Sequence, residues 1–173
     1  MEIERKYLVR ELPDDYERYP HRSLEQGYLC TDPVVRARRD GDDYILTYKS
    51  KGFMVREEYN LPLTRESYLH LISKADGRLI SKERYRIPFD ESLTIELDVF
   101  KGDLAPLILA EVEFPDEASA NSFVPPAWFG EDVTFRKEYH NSFLSSQDKA
   151  QIMLYKCYIS IFVTFCCLPP FSV

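Results

Sequence analysis

The sequence has no excess of basic residues. Its 22 lysines and arginines are outnumbered by 29 aspartates and glutamates, which gives a net charge of −7. Nonspecific nucleic-acid binding depends on a basic surface, so this charge argues against a nucleic-acid partner. It does not exclude an anionic ligand, because a local cluster of arginines and lysines can hold one inside an acidic protein.

Cysteines with the spacing of a metal site or a disulfide framework are also absent. There are four cysteines, and three of them fall between residues 157 and 167. This pattern favours a reducing compartment. The N-terminus lacks the basic and apolar segments of a secretory signal peptide. We therefore expect a cytoplasmic protein.

No apolar run has the length of a membrane-spanning helix. The most hydrophobic run, residues 157–168, is shorter than the ~20 residues that such a helix needs. We therefore expect no membrane partner. Residues 147–173 are interpreted as an apolar tail appended to one domain, residues 1–146, in which we find no repeat and no linker.

Short segments with strand character dominate residues 1–146. Turn signals such as Asp40-Gly41 separate them, and the predicted strands cover residues 2–9, 23–30, 34–39, 44–51, 55–61, 78–87, 92–100 and 107–114. Helices are predicted from an N-cap at Thr64 towards Gly77, over residues 116–123, and within 133–146. The pattern predicts an α+β fold in which an antiparallel sheet can close into a barrel, with helices outside or at its ends.

Charged residues alternate along the first predicted strand. Glu2, Glu4 and Lys6 are spaced by two, so in a strand their side chains share one face. Alone, this pattern is compatible with an exposed strand. A buried face of this kind would be costly unless metal, phosphate or water satisfied it.

The same alternation recurs along the chain, with charges of one sign grouped on most strands. A solvated outer face is the ordinary interpretation of any single strand. Seven strands that mostly separate acids from bases favour a polar lumen instead, with apolar faces packed outward against helices. The charged positions are Arg36 and Arg38, Lys49 and Lys51, Arg56 and Glu58, Lys82, Arg84 and Arg86, Glu96 and Asp98, and Glu111 and Glu113.

Acidic and basic pairs in one lumen suit complementary ligands. Paired carboxylates suit hard divalent cations, which prefer oxygen ligands. Guanidinium and ammonium groups suit phosphate oxygens. A metal–polyphosphate complex would satisfy both sets, so the residues favour a polyphosphate-binding tunnel.

The ordered set of motifs resembles that of CYTH-domain proteins, in the triphosphate tunnel metalloenzyme superfamily. Glu2, Glu4 and Lys6 match the defining Glu-x-Glu-x-Lys motif. The resemblance covers residues 1–146 and is greatest to short bacterial inorganic triphosphatases. The other matching positions are Arg36-x-Arg38, Lys49-x-Lys51, Arg56 with Glu58, Lys82-x-Arg84, Glu96-x-Asp98, Glu111-x-Glu113 and Lys137.

This resemblance implies an eight-stranded closed antiparallel β-barrel that binds a triphosphate-containing small molecule with Mg²⁺ or Mn²⁺. The implied metal ligands are Glu2, Glu4, Glu96, Asp98, Glu111 and Glu113. The implied substrate-binding residues are Lys6, Arg36, Arg38, Lys49, Lys51, Arg56, Glu58, Lys82 and Arg84. Glu2 and Glu4 would be catalytic through the metal, and Lys137 or another tunnel lysine would protonate the leaving phosphate.

The implied reaction is hydrolysis of tripolyphosphate to pyrophosphate and phosphate. Among enzymes, the alternatives are a class IV-type adenylate cyclase and a nucleoside or thiamine triphosphatase. A nucleotide-directed activity would need an adenine pocket, which no sequence feature identifies. A non-catalytic polyphosphate-binding module would need chiefly cations, so the acidic pairs argue against it. A homodimer is left open.

Three features depart from the family pattern. Asn60 stands where many members carry another acid, and His140 where a lysine or arginine is common. Residues 147–173 have no counterpart in the family.

Overall fold

The computed structural model describes residues 1–147. The apolar tail predicted from residue 147 onward therefore lies, apart from its first residue, outside the described residues. The strands are β1 (Glu2–Val9), β2 (His21–Thr31), β3 (Val34–Asp40), β4 (Asp43–Lys49), β5 (Val55–Arg56), β6 (Glu58–Pro62), β7 (Asp76–Pro88), β8 (Thr94–Phe100), β9 (Ile108–Glu113) and β10 (Phe129–Asp132). The α-helices are α1 (Arg65–Ile72), α2 (Glu117–Ser122) and α3 (Asn141–Ser146).

The strands form one antiparallel sheet that curls into a nearly closed barrel. The order of neighbouring strands is β10-β1-β9-β8-β7-β2-β3-β4-β6, and β5 pairs with β1. Only Glu57 separates β5 from β6, so one stretch of chain joins the β4 edge of the sheet to the β1 edge. Counted as one strand, β5 and β6 complete the predicted ring of eight.

The pairing between β5 and β1 is short. It consists of Glu2 opposite Arg56 and Ile3 opposite Val55. Gly52 precedes it with a φ of 140°, and a Cβ at this position would lie 2.3 Å from the Val55 carbonyl oxygen. Glycine therefore lets the chain leave β4 and reach β1 within a few residues.

Strand β10 is not predicted by the sequence. No predicted strand covers residues 125–132, but Phe129–Asp132 pairs with the second half of β1, with Tyr7 opposite Asp132. Because β5 covers only the start of β1, the remaining edge is available for β10. Hydrogen bonds beyond the strand extend this pairing, from the Val133 amide to the Lys6 carbonyl at 2.8 Å.

Helix α1 begins where predicted and ends earlier. The Thr64 hydroxyl accepts a hydrogen bond from the Ser67 amide at 3.1 Å, which caps the helix. The helix ends at Ile72 rather than near Gly77, since β7 starts at Asp76. Gly77 has a φ of 69°, and a Cβ there would lie 2.2 Å from the Ser145 carbonyl oxygen. This glycine permits the close approach of α3 to β7.

The apolar faces of the strands form two core clusters outside the polar lumen. One contains Tyr7, Leu97, Val112 and Phe129. The other, which includes Leu144 of α3, packs at one end of the barrel. Full burial of each large apolar side chain stabilises the fold by ~1.5–3 kcal/mol relative to exposure. The barrel thus buries apolar residues outward and leaves its interior to the charged positions.

Candidate active site

Charged side chains from most of the strands meet in a single cavity inside the barrel. Its acidic lining residues are Glu2, Glu4, Glu58, Glu96, Glu111 and Glu113. Its cationic lining residues are Lys6, Arg36, Arg38, Lys49, Arg56 and Arg84. Tyr28, Val34, His140, Asn141 and Ser142 complete the lining. The alternation of side chains along each strand produces this arrangement, since Ile3 and Tyr7 of β1 pack in the core while Glu2, Glu4 and Lys6 face the cavity.

On β7, β8 and β9, cations and acids neutralise one another. We call Lys82, Arg84, Glu96, Asp98 and Glu111 the acid-paired wall. Arg84 makes ion pairs with Glu96, Asp98 and Glu111, and its Nη2 lies 2.6 Å from Asp98 Oδ2. Burial lowers the pKa of Arg84, but Asp98, Glu96 and Glu111 outweigh it and hold that pKa well above the ordinary value.

Glu111 is the central acid of this wall. Lys6 Nζ lies 2.8 Å from Glu111 Oε1, and Arg84 binds the other oxygen. Burial raises the pKa of Glu111, but Lys6, Lys82 and Arg84 together hold it well below its ordinary value. This carboxylate is therefore ionised at neutral pH and already bonded to cations.

On β3, one buried arginine and one half-buried arginine lack such neutralisation. We call Arg36 and Arg38 the arginine wall. Arg36 Nη2 donates to Thr47 Oγ1 at 3.2 Å, and its Nη1 lies 3.5 Å from Gln26 Oε1. Within residues 1–147 Arg36 has no carboxylate at ion-pair distance, and Arg38 has only Asp40 at 3.9 Å.

The arginine wall is accordingly an unfavourable place for positive charge. Burial, then Arg36 and then Arg84, lowers the pKa of Arg38 to about 10. The Arg38 guanidinium group remains charged at neutral pH. A buried cation without a counter-charge is costly, and a bound anion would relieve that cost.

Carboxylates crowd together where β1 meets β5 and β9. Burial and Glu4 raise the pKa of Glu2 to about 7, although Lys49 and Arg56 lie 2.6 and 3.1 Å from its oxygens. Burial, Glu96 and Glu4 likewise raise the pKa of Glu113. The negative charges on this side of the cavity are thus only partly compensated by protein groups.

This donor set fits a hard divalent cation in its chemistry. Carboxylate oxygens are the ligands that such cations prefer, and a cation would offset the repulsion that raises the pKa values of Glu2 and Glu113. Among residues 1–147, no three acidic, histidine or cysteine side chains converge closely enough to enclose a metal. Glu2, Glu4 and Glu111 pair with lysines or arginines instead, so a metal would take over some of these contacts.

Four predicted site residues lie outside the cavity lining. The Lys51 side chain is 81% exposed and its Nζ lies 3.3 Å from Asp32, because β4 ends at Lys49 and the alternation stops there. Lys137 is exposed, with its Nζ 5.5 Å from the centre of the Phe143 ring. Lys82 and Asp98 form a buried ion pair in the acid-paired wall, beside Arg84.

The structure also brings in residues that the sequence analysis did not select. Gln26 and Thr47 are completely buried and contact Arg36. Each lies two residues from a cavity residue on the same strand, Gln26 from Tyr28 and Thr47 from Lys49. Strand alternation could therefore have identified both. The criterion used was charge, and these side chains are neutral.

His140 lies at the end of the cavity, just before α3. Its Nε2 is 3.3 Å from the Thr134 carbonyl oxygen, and its ring meets Phe53 edge-on with centroids 5.3 Å apart. Burial and nearby Lys6 lower the pKa of His140 to about 4. The ring is therefore neutral at pH 7 and contributes no charge to this end.

Comparison with known proteins gives the family of this chain. The sequence profile of the CYTH domain family matches residues 1–151. This chain belongs to the CYTH domain family. None of the helices within residues 1–147 of this CYTH domain has the length and apolar character needed to cross a membrane.

Two curated CYTH relatives carry the name inorganic triphosphatase. The one from Nitrosomonas europaea is 43% identical over 148 residues, which is 83% of this chain and 96% of the relative. The one from Acetivibrio thermocellus is 37% identical over 147 residues, 82% of this chain and 90% of the relative. A crystal structure of an inorganic triphosphatase superimposes with a TM-score of 0.65 at 40% identity, covering 86% of this chain and 96% of that one.

Proposed function

We propose that this CYTH domain hydrolyses inorganic tripolyphosphate to pyrophosphate and phosphate with the help of a divalent cation. One observation carries the proposal: the cavity combines two arginines that have little counter-charge among the described residues, Arg36 and Arg38, with two carboxylates, Glu2 and Glu113, that Glu4 repels. A phosphate chain would satisfy the first group and a metal ion the second. The names of the relatives from Nitrosomonas and Acetivibrio support the same activity.

The lining favours a chain of phosphates over an organic triphosphate. Among the described lining residues, Tyr28, Val34 and His140 are the aromatic or aliphatic ones, and the others are charged or polar. An adenylate cyclase, a nucleoside triphosphatase or a thiamine triphosphatase would also have to bind an organic group. A binding module would need cations but not the crowded carboxylates.

The metal is proposed to be Mg²⁺ or Mn²⁺. Glu2, Glu4, Glu111 and Glu113 would hold it, with Glu96 nearby and Asp98 acting through Arg84. When bound, such an ion polarises phosphoryl oxygens and lowers the pKa of a bound water.

The protein groups would bind, orient and protonate the substrate. Arg36 and Arg38 would position the phosphates and stabilise charge that builds up on their oxygens during transfer. Among the lysines, Lys6 and Lys49 line the cavity whereas Lys137 does not. Burial lowers the pKa of Lys6, but Glu111 and Glu4 outweigh it and raise that pKa, which makes Lys6 a poor acid. Lys49 is the other lysine of the cavity lining given above and is the remaining candidate there to protonate the leaving phosphate.

Phosphate release separates the candidate activities. Tripolyphosphate, ATP and thiamine triphosphate would each be assayed with Mg²⁺, with Mn²⁺ and with EDTA. We expect rapid release from tripolyphosphate with metal, slower release from the organic substrates, and none in EDTA. A protein that is inert towards all three substrates with metal present would contradict hydrolysis.

Glu4→Gln tests the acidic side of the cavity. The amide keeps the shape of the side chain but loses the charge that would hold the metal, so turnover should be abolished while the fold persists. Circular dichroism would report the fold, and Glu91→Gln in an exposed turn is the matched control. Retained activity in Glu4→Gln would remove this residue from the metal shell.

The cellular setting remains a prediction. We expect a cytoplasmic location from the cysteine pattern. We expect no nucleic-acid partner because the net charge is acidic. A homodimer stays open.

A further inference from the structure

A chain of directed hydrogen bonds ends on Arg36. Asn60 of β6 lies opposite Thr47 of β4, which lies opposite Arg36 of β3, and Glu58 is two residues before Asn60 on β6. Asn60 Nδ2 donates to Glu58 Oε1 at 2.5 Å, and Thr47 Oγ1 donates to Asn60 Oδ1 at 2.7 Å. Arg36 Nη2 then donates to Thr47 Oγ1 at 3.2 Å.

The direction of each bond follows from its neighbour. An ionised carboxylate can only accept, so Asn60 must present its amide NH₂ to Glu58 and its oxygen to Thr47. The Thr47 proton is thereby used on Asn60, and the lone pairs of the hydroxyl face Arg36. Lys49 Nζ lies 2.6 Å from Glu58 Oε2 and forms an ion pair with this carboxylate.

The opposite side of Arg36 is arranged in the same way. Gln26 Nε2 donates to the Tyr28 hydroxyl at 2.9 Å, which leaves Gln26 Oε1 facing Arg36 Nη1 at 3.5 Å. Gln26 and Thr47 are both completely buried. They contact the guanidinium group through neutral oxygens and bring no negative charge.

We propose that Thr47 and Asn60, together with Gln26, are positioning residues that hold Arg36 in a phosphate-binding orientation without neutralising it. This inference rests on the proposed function, because it takes a polyphosphate as the ligand of Arg36. Carboxylates in these positions would hold the arginine equally well but would compete with the phosphate for its charge, as Asp98 and Glu111 do at Arg84.

The test measures binding separately from turnover. Sodium tripolyphosphate would be titrated calorimetrically into the full chain in EDTA, so that metal and catalysis do not contribute. Thr47→Val removes one hydrogen bond to a charged group. It is therefore expected to bind tripolyphosphate roughly tenfold more weakly than the wild type. Thr47→Ser keeps the hydroxyl and should restore affinity to within about twofold. Thr31→Val, exposed at the end of β2, is the matched control.

Two further variants keep the inference testable if Thr47→Val does not fold. Asn60 is exposed at the barrel edge, and Asn60→Ala should weaken binding about threefold by releasing the Thr47 hydroxyl. Gln26→Glu keeps size and acceptor but adds negative charge, so it should weaken binding at least tenfold. With metal present, KM for tripolyphosphate should rise by the same factors, with smaller changes in kcat.

The outcomes separate the two proposals. The positioning role would be overturned if Thr47→Val bound tripolyphosphate as tightly as the wild type, or if Asn60→Ala and Gln26→Glu both did. The proposal of hydrolysis would be unaffected. Tight binding of tripolyphosphate by the wild type without turnover would overturn the hydrolase and leave the positioning role standing. A wild type that does not bind tripolyphosphate would overturn both.

Discussion

Arg84 and Arg36 line the same cavity and are surrounded by opposite kinds of neighbour. Arg84 lies on β7 beside β8, which carries Glu96 and Asp98, and it also reaches Glu111 on β9, so that it binds all three acids. Arg36 lies between strands that carry Gln26 and Thr47, and it binds neutral oxygens. The difference shows that a lumen arginine can serve the fold or the ligand, depending on the strands beside it.

The largest expected effect is the loss of stability when the acid-paired wall is broken. Arg84→Met removes the cation shared by three carboxylates, and Glu96 is left without an ion-pair partner among the described residues. Asp98 and Glu111 are buried and each loses one of its cations, so the variant should lose about 3 kcal/mol of stability. Urea unfolding would measure this loss of stability. Arg36→Met is the comparison, and it should change the free energy of unfolding by less than ~1 kcal/mol because no carboxylate is paired with Arg36. Equal losses in both variants would remove the distinction between the walls.

The second effect is on binding, and it should fall on the arginine wall. Arg36→Met is expected to weaken tripolyphosphate binding about 10- to 100-fold in EDTA, since hydrogen bonds to charged groups contribute ~1.5–3 kcal/mol each. Titration calorimetry would measure the affinity. Arg39→Met is the control, because residue 39 lies on the opposite face of β3 from Arg38. Unchanged affinity in Arg36→Met would show that Arg36 does not face the ligand.

A third, smaller effect concerns pH at the cavity end. His140 is neutral in the folded protein because its pKa is lowered to about 4. Between its ordinary value of 6.5 and 4 the unfolded chain takes up this proton first, so wild-type stability should fall as the pH drops through this range. For a partly exposed ring we expect a contribution of about 1–2 kcal/mol.

His140→Gln cannot take up that proton and should show a flatter profile. Urea unfolding at pH values from 7 to 4 would compare it with the wild type, with His70→Gln on the exposed face of α1 as control. Parallel profiles for wild type and His140→Gln would exclude this group as the cause.

The smallest effect is expected at Lys51. Its exposed pair with Asp32 is of a class that contributes less than ~1 kcal/mol, and Lys51→Ala should alter tripolyphosphate affinity by less than about twofold. Lys49→Ala, two residues earlier and inside the cavity, should weaken binding clearly more. A large loss in Lys51→Ala would show that this side chain turns inward when the ligand binds.

The inward-facing charges could be predicted because strand alternation is a local property. Glu2, Glu4 and Lys6 share a face whatever lies beside β1. The failure at Lys51 is equally local, since alternation has meaning only while the strand continues. Lys137 was inferred from position in the family pattern alone, and the sequence contains no periodicity that could have tested it.

The two kinds of wall could not be predicted, because they depend on which strands become neighbours. Strand β7 pairs with β8, from which Glu96 and Asp98 reach Arg84, whereas β3 lies between β2 and β4. The same holds for β10, whose pairing with β1 joins residues at least 120 positions apart. Such contacts are set by the packing of the whole barrel.

The backbone pairing of β5 with β1 is only two residues long. Closure of the barrel at this point therefore also depends on the charged side chains that line the cavity. Arg56 lies opposite Glu2 in the backbone register and also forms an ion pair with its side chain. Few amides protect this junction, so we expect hydrogen exchange at residues 55–56 to be faster than at the centre of β8. A ligand that draws Glu2 away from Arg56 would loosen the barrel along this line, coupling occupancy of the lumen to the opening of its side.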